Sequence, residues 1–220
     1  MKIKEITSYL EEIAPLSYQE NYDNCGLIIG DENTVVNALL ITLDCTEAII
    51  DEAIETGCNL IVAHHPIIFT ALKKLNGSNY IEKTVIKAIK NNIAIYAIHT
   101  NLDNIYNGVS ARIADKLGLQ NCKILSYKDE ENNPNVGSGI LGELAKSVES
   151  KEFLENLKAI MQTDCVRYTS LTSPTIKKVA VCGGSGSFLL SNAKALGADI
   201  YISADFKYHE FFDAGNDLII

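Results

Sequence analysis

Short apolar runs alternate with amphipathic segments along this chain, the pattern of an α/β protein. Residues 38–43, 60–63, 93–98, 179–181 and 200–202 are apolar on both faces and predict buried strands. Between them, Ile81, Val85, Ala88 and Ile89 mark one helical stripe. Val109, Ile113, Ala114 and Leu117 mark another, which Gly118 is placed to end. Periodicity is lost over residues 126–139, where Asp, Glu, Asn, Pro and Gly cluster. That segment reads as a linker between a first α/β half, residues 1–125, and a second, residues 140–220.

The two halves resemble each other. Residues 57–65 lie over 197–205 at an offset of 140, and without a gap the same offset lays Leu40-Ile41 over Ala180-Val181 and Ala53 over Ala193. Each copy reads strand, turn, helix, Gly, strand, polar cluster. The expectation is an α/β fold of two similar halves, an internal duplication, with layered sheets and flanking helices. Any two strand–helix–strand units align nearly this well, but the missing gap favours duplication.

Composition narrows the function classes. A chain of 220 residues with 47% hydrophobic and 21% charged content is an ordinary globular protein. A net charge of −9 argues against a broad nucleic-acid-binding face, which needs clustered Lys and Arg. It leaves room for a small, phosphate-bearing substrate at a metal ion. No apolar run approaches the roughly 20 residues that span a bilayer, and the start of the chain does not read as a signal peptide. Six cysteines are scattered with no Cys-x-x-Cys pair, which fits a reduced cytoplasm and not a disulfide framework.

Candidate chemistry gathers after the strands. His64-His65-Pro66 follows the run 60–63, and open α/β sheets place their ligands at the C-terminal ends of strands. Neighbours in an extended chain point to opposite sides, and Pro66 biases His65 toward extended backbone. The pair is therefore expected to serve two neighbouring ions, one ring each. His99-Thr100-Asn101-Leu102-Asp103 follows the run 93–98 and belongs on the same rim. Asp103 supplies a carboxylate suited to Zn, Mn, Mg or Fe. His99 reads either as a ligand or as a hydrogen-bond donor that orients one, and part of the segment as turn chemistry. Asp23 and Asn24 read as hydrogen-bond partners of ligands. Asp44 with Glu47 reads as a capping box opening a helix. The run Cys182-Gly183-Gly184-Ser185-Gly186-Ser187 reads equally as an anion cradle or a tight turn.

These motifs occur in one order: Asp23-Asn24-x-Gly26-Leu27, His64-His65-Pro66, His99-Thr100-Asn101-Leu102-Asp103, Val136-Gly137-Ser138-Gly139 with Leu141-Gly142-Glu143-Leu144, Val179 to Gly186, and Lys207-Tyr208-His209. The set resembles the Nif-three-like family, also called GTP cyclohydrolase 1 type 2 homologues, over essentially the whole chain. The resemblance implies a toroidal homo-hexamer with two divalent ions per chain. His65 and Asp103 would bind one ion and His64 the other. It implies a cytoplasmic, metal-dependent hydrolase of a small, nucleotide-like substrate. The alternative is a non-catalytic, metal-stabilised assembly or regulatory module. Two departures stand out. Ser203-Ala204-Asp205 replaces the family's usual Thr-Gly-Asp, and the family's Gly-His-x-x-x-Glu-like ligand motif is missing after Leu218-Ile219-Ile220. The second half therefore reads as truncated at its C-terminus, with weakened metal binding as the consequence.

Overall fold

A computed structural model describes residues 1–129 and 131–220, which form two compact units, Met1–Leu102 and Asp103–Ile220. The first contains α1 (Ile3–Ile13), β1 (Gly26–Ile29), β2 (Leu39–Thr42), α2 (Glu47–Thr56), β3 (Leu60–Ala63), α3 (Tyr80–Lys90) and β4 (Ala94–Ala97). It ends within α4 (Thr100–Asp103), whose last residue opens the second unit. Its sheet has the order β1-β4-β3-β2. The last three strands are parallel, and β1 runs antiparallel to β4.

Both central strands, β3 and β4, are buried throughout, as their unbroken apolar runs predict. Ile50 and Ala53 of α2 and Val85 and Ala88 of α3 pack onto Ile61, Ala63 and Ile95. The strand β2 differs from expectation, for Ile41 is 77% exposed. It lies at the sheet edge, and apolar composition cannot show which strand has a neighbour on only one side. At the start of α3, Asn79 caps by accepting from the Glu82 amide. The expected cap pair of Asp44 and Glu47 does not form. Thr46 caps α2 instead, accepting from the Ile49 amide, which leaves Asp44 available elsewhere.

The second unit contains α5 (Val109–Lys116), β5 (Gln120–Tyr127), β6 (Gly137–Glu149), α6 (Ser150–Ile160), β7 (Thr175–Ser185), α7 (Leu190–Ala195) and β8 (Ile200–Asp205). Its sheet order is β5-β6-β7-β8, antiparallel except for the parallel pair β7 and β8. Alternation splits the strands between two cores. Ile140, Val179 and Val181 meet Phe153, Leu154 and Leu157 of α6, whereas Leu141 and Ala180 meet Leu190 and Ala193 of α7. The segment 126–139 lies between two paired strands of this one sheet, with Ser126 opposite Ser138. One residue of that expected linker, Glu130, lies outside the described residues. The compact units divide instead between Leu102 and Asp103. Polar, Gly- and Pro-bearing composition marks a loop, but it does not distinguish a hairpin connection from an interdomain one.

The internal resemblance has a structural counterpart in β2-α2-β3 and β7-α7-β8. Leu39, Leu40, Ile41 and Thr42 pair with Leu60, Ile61, Val62 and Ala63, and Val179, Ala180, Val181 and Cys182 pair with Ile200, Tyr201, Ile202 and Ser203. All four registers repeat at the offset of 140. The helix ends repeat too. Gly57 and Gly197 take positive φ angles of +71° and +68°, and the next amide closes on Ala53 and Ala193 respectively. This is a left-handed helix stop that glycine adopts without steric penalty. The likeness is confined to this unit, since the remaining strands of the two sheets pair differently.

Candidate metal centre

Parallel pairing brings the ends of β2, β3 and β4 to one rim of the first unit. Ala63 is in register with Ala97, so the residues that follow each strand emerge side by side. Those residues are His64-His65 after β3 and His99 just beyond β4. Asp44 follows β2, and Asp23 precedes the antiparallel β1, which also puts it at this rim. The carboxyl edge of a parallel sheet is the usual seat of ligands in such folds.

His64 and His65 sit in a bend, not in extended backbone. Their amides continue the ladder to the carbonyls of Thr42 and Leu43, while their rings stand 5.0 Å apart. The strand-like geometry that would send them to opposite sides ends at Ala63. The His99 ring lies 5.1 Å from that of His64 and 5.3 Å from that of His65. One nitrogen from each of the three falls within 4.8 Å of the others.

Each ring is held at Nδ1 by an oxygen. The partners are the Ile98 carbonyl for His64 at 2.8 Å, Asp44 Oδ1 for His65 at 2.8 Å, and Asp23 Oδ1 for His99 at 2.9 Å. A carbonyl or carboxylate oxygen only accepts, so Nδ1 donates and the neutral ring carries its lone pair at Nε2. Metal-binding histidines are oriented in this way. Burial lowers the pKa of His64, with the nearby His99 and His65 acting in the same direction, which favours its neutral form.

Asp23 is the most enclosed of the anchors, with a side chain wholly shielded from solvent. Its Oδ1 accepts from His99 and from the Asn24 amide at 2.8 Å. Its Oδ2 accepts from the Thr100 amide at 3.0 Å, the Thr100 hydroxyl and the Cys25 thiol. Burial opposes ionisation of this carboxyl, but the hydrogen bonds from Thr100, His99, Cys25 and Asn24 outweigh it and hold its pKa well below the usual range. Burial pushes the Cys25 thiol up to about 11, so it remains a proton donor.

The His99 segment divides its roles. Thr100 accepts from the Glu20 amide and serves Asp23, whereas Asn101 joins the His99 amide to the Ala14 carbonyl. These residues fix the loop. Asp103 is half-buried and ends α4. His209 is exposed at the start of a 3-10 turn in the second unit. In the glycine-rich run following Val181, Gly184 takes a positive φ of +66° with open space around it, and close packing explains the other two glycines. A side chain at Gly183 would meet Val109 at 2.6 Å, and one at Gly186 would meet the Tyr201 hydroxyl at 2.5 Å. In the sequence Asp44 reads as a helix cap, and its position after a strand parallel to the His-His strand is the signal of its other role.

Among the described residues, no helix is long and apolar enough to cross a membrane, and all six cysteines are free.

The family model for Duf34/NIF3 (NGG1p interacting factor 3) matches residues 1–219. A Clostridium acetobutylicum protein named GTP cyclohydrolase 1 type 2 homolog is 36% identical over 213 residues, covering 97% of this chain and 79% of that one. A Lactococcus lactis protein of the same name is 34% identical over 222 residues, covering 100% and 82%. The crystal structure of a Bacillus cereus protein related to NIF3 superposes with a TM-score of 0.93 at 28% identity, covering 100% of this chain and 87% of that one. A Staphylococcus aureus protein superposes at 0.90 with 30% identity, covering 100% and 85%.

Proposed function

This chain belongs to the Duf34/NIF3 family, and on that footing we propose that it is a divalent-metal-dependent hydrolase of a small, nucleotide-like substrate. The observation that carries the reading is the anchoring of all three clustered imidazoles at Nδ1 by separate oxygens. Histidines packed merely as aromatic rings need no such fixing, and an imidazole held at Nδ1 turns its Nε2 toward a ligand. The donor set fits a divalent ion of the zinc or iron type.

His64, His65 and Asp103 are the proposed ligands of a site for two ions, the first two from the geometry and Asp103 from the family resemblance. When bound, a divalent ion supplies the Lewis-acid chemistry that hydrolysis requires. The chain's own residues do the positioning. Asp44 keeps the His65 ring turned, the Ile98 carbonyl does so for His64, and Asp23 does so for His99. The names of the relatives suggest a purine nucleotide as substrate class, and the proposed assembly is a cytoplasmic homo-hexamer.

Elemental analysis of the purified chain, together with turnover of a nucleotide and phosphoester panel, tests the reading. Bound metal and turnover that disappear in His65→Ala and Asp103→Ala variants are expected. A protein that takes up no metal after reconstitution sinks the metal site. Metal uptake that raises thermal stability without any turnover leaves a metal-stabilised assembly in its place. Light scattering of the purified chain reports the oligomer.

A further inference from the structure

We infer that Tyr22 and Phe69 form a shelf that receives a planar aromatic ring of the substrate and lays it against the histidine cluster. This rests on the hydrolase reading above and deepens it, since it names the chemistry that recognises the substrate and the residues that do so.

Anchored neighbours turn both rings outward. Pro66 and Ile67 are buried, and Ile67 and Ile68 pack on the core of the first unit. The Ile68 carbonyl also accepts from Asn24 Nδ2 at 2.7 Å. Phe69 follows at once, and 48% of it is exposed. On the other segment, the enclosed Asp23 is tied to His99 and Thr100, while Tyr22 beside it is 64% exposed. The bond from Asn24 to Ile68 joins the two segments one residue short of Phe69. There the rings meet, with centres 6.1 Å apart and planes tilted by 50°. Phe69 in turn lies 6.5 Å from the His99 ring, at 71°. Tyr22, Phe69 and His99 thus make a continuous row from the surface to the imidazoles.

Mutual packing of two surface side chains is the competing explanation, since 6.1 Å is an ordinary aromatic separation. Packing alone favours burial of such rings, and Tyr96 and Tyr201 are buried completely. Single exposed apolar residues are common. These two adjoin each other and the histidine cluster as well. Ligand sites combine aromatic walls with a few converging polar groups, which is the combination present here. An aromatic face takes a planar ring by stacking, whatever the ring's hydrogen-bonding edge. Neither Tyr22 nor Phe69 carries a cation, so the shelf reads the flat ring of a nucleotide-like substrate and not its phosphates.

The test uses the full 220-residue chain with 13C-labelled aromatic rings, loaded with Zn2+ and freed of excess ion. Two ligands are titrated, GTP and ribose 5-triphosphate, which lacks the base. GTP should bind more tightly and shift the ring signals of Tyr22 and Phe69, and ribose 5-triphosphate should leave both in place. Phe69→Leu should weaken GTP binding by about tenfold and leave that of ribose 5-triphosphate unchanged. Phe69→Tyr, which keeps the ring, should bind GTP as the wild type does. GTP binding that moves neither ring signal overturns the shelf, as do equal affinities for the two ligands or no binding of GTP at all. Metal content is measured separately. A chain that takes up no Zn2+ sinks the metal-site reading, and the ring signals of the metal-free chain with GTP then decide the shelf by the same outcomes. The wild-type titration decides even should a variant not fold.

Discussion

The Thr100 amide and hydroxyl both donate to one oxygen of Asp23, while the other oxygen holds His99, so a single enclosed carboxylate locks the loop after β4 and its imidazole together. The two partners of that lock are 76 residues apart in the chain.

Replacing Asp23 with Asn turns one of these acceptors into a donor facing other donors. The expected effect is a loss of stability of about 1–3 kcal/mol, the cost of leaving enclosed polar groups unpaired. The His99 ring should lose its fixed tautomer at the same time, because its Nδ1 no longer faces a carboxylate. Urea unfolding and long-range proton–nitrogen spectra of the histidines measure the two effects. An unchanged His99 signal would show that the ring is held without Asp23.

The same carboxylate sets a pH dependence. Its folded pKa lies below the unfolded value of about 3.9, so its stabilising contribution is complete above that value and is lost as pH falls toward the folded pKa. The stability gap between wild type and Asp23→Asn should therefore narrow as pH falls below about 4. Urea midpoints at a series of pH values below about 5 follow it. A gap that widens over that range contradicts the sign.

Burial also separates the thiols. It raises Cys45 and Cys182 to about 11 each, so both remain protonated at mildly alkaline pH and are shielded from reagents. Exposed Cys165 should be alkylated well before either, as read by mass spectrometry of the native protein at pH 8. Equal labelling of Cys182 would mean that its surroundings open readily.

The repeated helix stops make a paired prediction. A methyl group at Gly57 or Gly197 meets nothing within 4 Å, so any loss in the Ala variants comes from the positive φ angle alone. Each substitution should cost about 1–2 kcal/mol, and the two losses should be alike. Chemical unfolding of the two variants compares them directly.

Much of this molecule is written locally. Unbroken apolar runs locate β3 and β4 to within two residues, and the stripe from Ile81 to Ile89 locates α3. Two glycines at a constant offset announce the duplicated strand–helix–strand unit, whose pairing register then repeats residue for residue. Such features depend on alternation, helical period and the steric freedom of one residue, all properties of a few neighbours in the chain. The adjacent histidines at a strand end also belong here, because the end of a run of side chains is visible in the sequence.

What the rings do with their position was decided only in three dimensions. Extended geometry predicts that His64 and His65 diverge, but the chain bends where the strand stops and brings them together. Asp44 reads as a cap because Glu47 follows at the right spacing, yet Thr46 takes that role and Asp44 turns to His65 instead. The exposure of Ile41 depends on which strand has no outer neighbour, and the place of the unit boundary depends on which segments pack together. In each case the deciding partner is remote in sequence. Side-chain period determined the elements and the location of the histidines. The bend and the hydrogen bonds from Asp23, Asp44 and Ile98 determined that three imidazoles face one another.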